Sequence, residues 1–183
     1  MEAGTVPLER ICRLQYRFQR ISPVGSRVSL ARLMDARPAR YRNAIVAHIY
    51  VEGAANAIKF YEKAFGAREI FRISGKGGRI VHSEISMCGS VIMIGDPSNP
   101  RIYGDPQKLG ACTAGLHIFT DDNAALMSRA MRAGCEEIQP ITDMFYGARS
   151  ASVRDPFGHV WVLLTWMEDL DAAEIERRAV ALP

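Results

Sequence analysis

Two stretches of the chain alternate apolar and polar residues and then turn helical, in the same order. From Ala44, AIVAHIYVEG puts Ile49 and Val51 on one side of an extended strand and His48 and Tyr50 on the other. The pattern then changes period. Ile58, Tyr61 and Phe65 make an apolar helical stripe, backed by Ala54, Ala57 and Ala64. Gly66 supplies the stop, because a left-handed cap is reached most easily without a Cβ. AREIFRI predicts a strand and SGKGG a turn. RIVHSEISM predicts an alternating strand, with Val81, Ser83, Ile85 and Met87 opposite Ile80, His82, Glu84 and Ser86. Past a Cys88-Gly89 turn, SVIMI reads as a buried strand, so the order is βαβββ.

The second stretch repeats that order. GLHIFT is the strand; Asp121 and Asp122 lead into a helix with Leu126, Ala130 and Ala133 on one stripe, and Gly134 ends it. CEEIQPI is the next strand and DMFYGARS a loop. SASVRDPFGHVWVLLT is a hairpin through Asp155-Pro156-Phe157-Gly158. An offset of 69 residues separates His48 from His117 and Gly89 from Gly158, and one of 68 separates Gly66 from Gly134. Three landmarks in step indicate an internal repeat, 44–97 and 113–167. Between them DPSNPRIYGDPQKLGACTA, rich in Gly, Pro, Asn and Asp, predicts a mobile loop. Residues 168–183 predict a C-terminal helix with an Asp171–Glu174 capping box, lying on the outside or against a second subunit.

The expected fold class is therefore α+β: two βαβββ units whose strands curl into a cup-shaped, eight-stranded mixed sheet. One unit covers only one sheet face with its helix, so pairing two units leaves a concave face for a ligand. Residues opposite the helix-packing positions point into the cup. That set is His48, Tyr50, His82, Glu84, His117 and Phe119.

Composition narrows the function classes. A 48% hydrophobic content suffices for a core, and no apolar run is long enough to span a bilayer. The four cysteines carry no metal or disulfide spacing and read as buried thiols in a reducing cytoplasm, which sets the expected location. The net charge of +3 is uneven. Residues 1–43 hold nine arginines, no lysine and three acids, a net of +6; the remainder holds 14 bases and 17 acids, a net of −3. The mildly acidic part offers no footprint for nucleic acid. The basic extension has transit-peptide composition, but a loosely ordered extension or a true start at Met34 are the simpler readings, and a helix on a partner subunit is a further one.

The repeat and its motifs resemble the vicinal oxygen chelate superfamily, which includes glyoxalase I, bleomycin-resistance proteins and extradiol dioxygenases. AIKFYEKAFGA, HSEI, DMFYGARS, DPFGHVWVL and the tail TWMEDLDAAEIERRA resemble its PhnB-like branch. The resemblance covers about residues 44–179. It implies a homodimer and a small-molecule site in the cup. The superfamily's metalloenzymes carry metal ligands at places that fall here on Val46, Met93, Gly115 and Val162. These side chains do not suit a divalent ion, so the resemblance implies a pocket without the usual metal. The ubiquinone methyltransferase label sometimes given to this branch is not supported, since no glycine-rich loop joins a strand to a helix.

The candidate chemistry follows. His48 and His117 share a strand position and are expected to hydrogen-bond a pocket ligand or one another. With Glu84 or His82 they also suit a displaced two-histidine, one-carboxylate site for Fe, Mn, Zn or Ni. Glu84 and His82 on one face suit a general-base pair; the bland alternative is a solvated strand. Tyr50 and Phe119 are expected ligand-facing rings, with Trp161 either lining the cup or in the core. In the DMFYGARS loop, Phe145 and Tyr146 offer flat surface, and Arg149 suits a carboxylate or phosphate, or else pairs with an acid such as Asp155. The branch's usual acid is replaced by Ala148. His159, after the Pro-Phe-Gly turn, is expected to satisfy turn carbonyls. The leading expectation is a metal-independent pocket protein for a small aromatic or anionic molecule. The alternatives are a divalent-metal isomerase, lyase or dioxygenase using His48, His117 and Glu84, and sequestration of a toxic compound.

Overall fold

Alternation gives way to helical period twice, and the chain builds two equivalent modules. The computed structural model describes residues 41, 44–99 and 101–181. The basic extension, Tyr41 excepted, lies outside the described residues, and so do the expectations attached to it. Residues 43–183 form one compact unit. Module one contains β1 (His48–Tyr50), α1 (Ala54–Phe65), β2 (Arg68–Ser74), β3 (Ile80–Met87) and β4 (Ser90–Gly95). A linker with one helical turn, α2 (Pro106–Leu109), leads to module two. That module contains β5 (Gly115–Phe119), α3 (Asn123–Ala133), β6 (Glu136–Asp143), β7 (Ala148–Arg154) and β8 (Val160–Trp166), and α4 (Ala172–Val180) closes the chain.

Both modules have one topology. The strand orders are β1-β4-β3-β2 and β5-β8-β7-β6, with the first pair parallel and the rest antiparallel. The α+β fold of two βαβββ repeats expected from the sequence is the one formed, its eight strands divided into two four-stranded mixed sheets whose backbone ladders stay within each module. β1 contributes only three residues, where the alternation from Ala44 predicted a longer strand.

The core lies between the helices and the sheets. Helices α1 and α3 pack on each other, and Arg129 Nε donates to the Ala64 carbonyl at 2.8 Å across that contact. Tyr61, Phe65, Phe157 and Trp161 form an aromatic cluster joining the modules. Burying rings of this size contributes much of the hydrophobic driving force. At their centre Asp155, 2% exposed, accepts four hydrogen bonds. Oδ1 takes the Phe157 and His159 amides, and Oδ2 takes the Tyr61 hydroxyl and the Trp161 indole N–H, all at 2.8–2.9 Å. The turn acid is thereby the polar keystone of the seam.

Three local differences from the expected pattern have physical causes. Half of DMFYGARS is strand, and its loop shrinks to the Met144–Gly147 turn, where Gly147 sits at φ +82° and its amide donates to the Met144 carbonyl. Pro140 falls at a register shift in β6, as a residue without an amide proton must. The linker carries a capped helical turn and is anchored: Asp105 accepts the amides of Gln107 and, across 53 residues, Glu52. The thiols also divide differently, with Cys135 buried, Cys112 intermediate and Cys88 exposed at a turn with φ +49°. Among the described residues, no helix is long and apolar enough to cross a membrane.

Candidate functional site

Register places the polar residues of module one in rows across the sheet. His48, Met93, Glu84 and Phe71 are successive partners on β1, β4, β3 and β2, and so share a face. Tyr50 pairs with Gly95 and His82 with Ile73, one step along the same face. The opposite face carries Ile49, Ile85 and Ile94 into the core, which is what frees this one for chemistry.

Five rings converge there. His48 stacks on Tyr50 with centroids 4.2 Å apart, and Tyr50 stacks on Tyr103 at 4.3 Å. His82 meets His48 edge-on at 5.5 Å, and Phe71 meets His82 at 5.8 Å. Beneath them His82 Nε2 lies 3.6 Å from Glu84 Oε1, with Glu84 6% exposed. The Tyr50 hydroxyl and His48 Nδ1 are hydrogen-bonded at 3.1 Å, while His48 Nε2 is buried with no hydrogen-bond partner among the described residues. Burial, and then the neighbouring His82, lower the His48 pKa to about 4, so this imidazole is neutral near pH 7. Burial, and then the adjacent Tyr103 phenol, raise Tyr50 to about 12. Tyr103 and Phe71 were not anticipated. Tyr103 sits in the linker, 53 residues from the ring it stacks on, and Phe71 on a strand whose exposed alternation gave no reason to single it out.

The other expected residues lie elsewhere. His117, Val162, Ser152 and Gln139 form the row in module two that matches the His48 row, and Phe119, Leu164, Ser150 and Thr142 form the next. There His117 is exposed and lies 6.5 Å from Phe119, which stacks on Trp166 at 6.4 Å. Tyr146 meets Trp166 and Phe145 edge-on. The structure therefore groups His48, Tyr50, His82 and Glu84, and separately His117, Phe119, Phe145 and Tyr146. Trp161 is 1% exposed and belongs to the core, not to a cup wall, because its indole N–H is drawn to Asp155. Arg149 pairs with Asp143, through Nε at 2.6 Å and Nη2 at 3.1 Å, and not with Asp155; the pair holds the Asp143 carboxyl below its ordinary range. His159 engages the turn through its backbone amide, while its ring Nδ1 is buried without a partner among the described residues. Burial lowers its pKa against the opposing pull of Asp155 and Asp105.

The residues do not fit the metal that the fold implies. Val46, Met93, Gly115 and Val162 offer no oxygen or imidazole ligand. The displaced set draws on both modules, with His48 and Glu84 on the first sheet and His117 on the second. Among the described residues no three His, Cys, Asp or Glu side chains group around a common point. Two cavities occur away from the ring cluster. One of about 470 Å³ is lined by Tyr146, Trp166, Leu170 and Ile175 with the acids Glu168 and Asp169, and one of about 610 Å³ lies between α2 and the Asp155 turn. Neither has an imidazole in its lining, so the ring cluster, which sets a neutral imidazole beside a carboxylate, is the better candidate site.

Similarity to known proteins agrees with this architecture. The family model described as Glyoxalase/Bleomycin resistance protein/Dioxygenase superfamily matches residues 43–163. An uncharacterized protein of Mycobacterium bovis is 34% identical over 137 residues, covering 73% of this chain and 90% of that protein. The solved structure of an Arabidopsis thaliana gene product is 26% identical, with a TM-score of 0.54, covering 67% of this chain and 98% of that one. The structure of TioX from Micromonospora sp. ML1 is 22% identical, with a TM-score of 0.54, covering 70% and 100%.

Proposed function

The chain belongs to the Glyoxalase/Bleomycin resistance protein/Dioxygenase superfamily, and from that premise we propose that it binds a small, planar organic molecule on the open face of module one without a metal ion. One observation carries this: a neutral, half-buried His48 with a free ring nitrogen, set into a column of stacked rings beside the His82–Glu84 pair. Flat rings supply area at low cost in side-chain entropy, and a few polar groups fix orientation. The motifs FYEKAFGA and DPFGHVW support placement in the PhnB-like branch, and with it a homodimer.

A second reading has its own support. The 3.6 Å approach of His82 to Glu84 suits a general base for proton transfer. Glu84→Gln then keeps binding and loses turnover, whereas a sequestering protein keeps both its affinity and its whole function.

Chemical-shift mapping with naphthalene, a bare flat ring, tests the binding face. Perturbations are expected at Tyr50, Phe71 and His82. Perturbations confined to Phe119 and Trp166, or none up to the solubility limit, sink the proposal. Elemental analysis after dialysis against iron, manganese, zinc and nickel tests the metal-free part. Near-stoichiometric metal that disappears in His48→Ala/His117→Ala restores the metalloenzyme alternative.

A further inference from the structure

We propose that His48 is held by Tyr50 as the tautomer protonated on Nε2, so that the site selects planar molecules bearing a neutral hydrogen-bond acceptor, such as a ring carbonyl or lactone. This deepens the binding role proposed above and rests on it. A ring nitrogen accepts a hydrogen bond only when it carries no proton, so a hydroxyl donating to Nδ1 leaves the imidazole proton on Nε2. The Tyr50 hydroxyl has the Tyr103 hydroxyl as a second hydrogen-bond partner, and with Tyr103 donating to Tyr50 the single phenol proton of Tyr50 is left for His48. The contact is 3.1 Å, between residues two apart on one strand face.

The consequence is a buried N–H with nothing to donate to among the described residues. An unsatisfied buried donor costs free energy, and a ligand acceptor recovers it. The surroundings set the kind of acceptor. Tyr50 covers one face of the imidazole and His82 stands edge-on to it, so Nε2 is approached along the ring edge. The flanking groups are the rings of Tyr50, Tyr103 and Phe71, the imidazole of His82 and the carboxylate of Glu84, none of them a fixed cation. A neutral oxygen is favoured over a carboxylate or phosphate, and a ring plane matches the walls. The anionic ligand class expected beside Arg149 finds no support here, because that guanidinium is engaged by Asp143. Tyr50 is thus a positioning residue: it sets which nitrogen of His48 bears the proton.

Two probes of equal size separate ring from acceptor: coumarin, whose lactone oxygen accepts, and naphthalene, which has no acceptor. In His48→Phe the affinity for coumarin is expected to fall about tenfold, the worth of one well-made hydrogen bond, with naphthalene unchanged. Tyr50→Phe keeps the ring stack and is expected to weaken coumarin severalfold. Nitrogen-15 spectra of imidazole-labelled wild-type protein read the tautomer directly and need no variant to fold. They should show Nε2–H in the wild type and a mixture in Tyr50→Phe. An Nδ1–H tautomer in the wild type, or equal losses for both probes in His48→Phe, overturns the inference while leaving the binding face intact. Failure of both probes to bind the wild type overturns the binding face and the inference with it.

Discussion

The two modules share a backbone and differ in what they carry on it. His48 and His117 hold the same place, each opposite the third-last or fifth-last residue of its partner strand, Met93 or Val162. Around His48 stand Tyr50, His82 and Glu84; at the matching places of module two stand Phe119, Ser150 and Ser152. One face gathers several titratable groups among its rings, while the other keeps His117 with rings and hydroxyls. The helix starts differ too. α3 begins at Asp122, which caps its own helix by accepting the Ala125 amide. α1 begins at Gly53, which has no side chain to offer, and Asp96 reaches over from the end of β4 to accept the Gly53, Ala54 and Ile80 amides. Repetition preserves a framework that buries a helix on a sheet. It leaves the exposed side of each sheet and the details of each cap free to diverge.

That contrast can be broken at its seam. Asp155→Ala removes the acceptor of two backbone amides, a tyrosine hydroxyl and an indole, all buried between the modules. Urea unfolding is expected to show a loss of about 3–5 kcal/mol; a loss below about 1 kcal/mol would show that the modules hold together without it. Next in size is the difference in capping. Asp96→Ala should cost about 2–3 kcal/mol, since three amides lose one carboxylate, and Asp122→Ala about 1 kcal/mol, an ordinary N-cap loss. Equal costs would mean that the remote cap contributes no more than the local one.

On the open faces, His117→Phe should leave coumarin affinity within about twofold, against the tenfold fall in His48→Phe. A matching fall would restore a shared role for the two histidines. A further difference is in pH dependence. His48 and His159 are both held below the ordinary histidine pKa, so between pH 6.5 and about 4 the unfolded chain binds protons that the folded chain refuses. Their contribution is present in full above pH 6.5 and is lost as the pH falls through that window. Stability should therefore decline on acidification, and His48→Phe should flatten the decline. A flat profile in the wild type would contradict the burial of a neutral His48.

Much of this was legible in the chain. The shift from a period of two to one of 3.6, ended by Gly66 and again by Gly134, was enough to read both modules and their order. Alternation also sorted His48, Tyr50, His82 and Glu84 onto one face, because side-chain direction in a strand is set locally. What stayed hidden depends on contacts between distant residues. Nothing near Asp155 announces that Tyr61, 94 residues away, donates to it. Trp161 could not be assigned to core or cup for the same reason: its direction is fixed by the acid it finds. Tyr103 lies in a stretch whose glycines and prolines suggested only a connection. The shared position of the two histidines suggested a shared site, whereas the ring contacts of His48 run to Tyr50 and His82 and that of His117 to Phe119.

The two acids that bound the linker reach the same three backbone positions. Asp96 and Asp105 between them accept the amides of Glu52, Gly53 and Ala54, so the chain from one acid to the other leaves and returns at a single turn. Tyr103 is two residues from the second clasp, and its amide donates to the Asn99 carbonyl at 2.9 Å, so its place over Tyr50 is held from both sides. For a flexible loop whose ends are already tied together, doubling the length adds only about 0.6 kcal/mol of closure cost. The Pro97–Ser98 junction, ahead of the Asn99 turn, is therefore a natural splice point. A peptide tag or reporter domain inserted there should leave both modules folded, and it would place a foreign group within reach of the stacked rings.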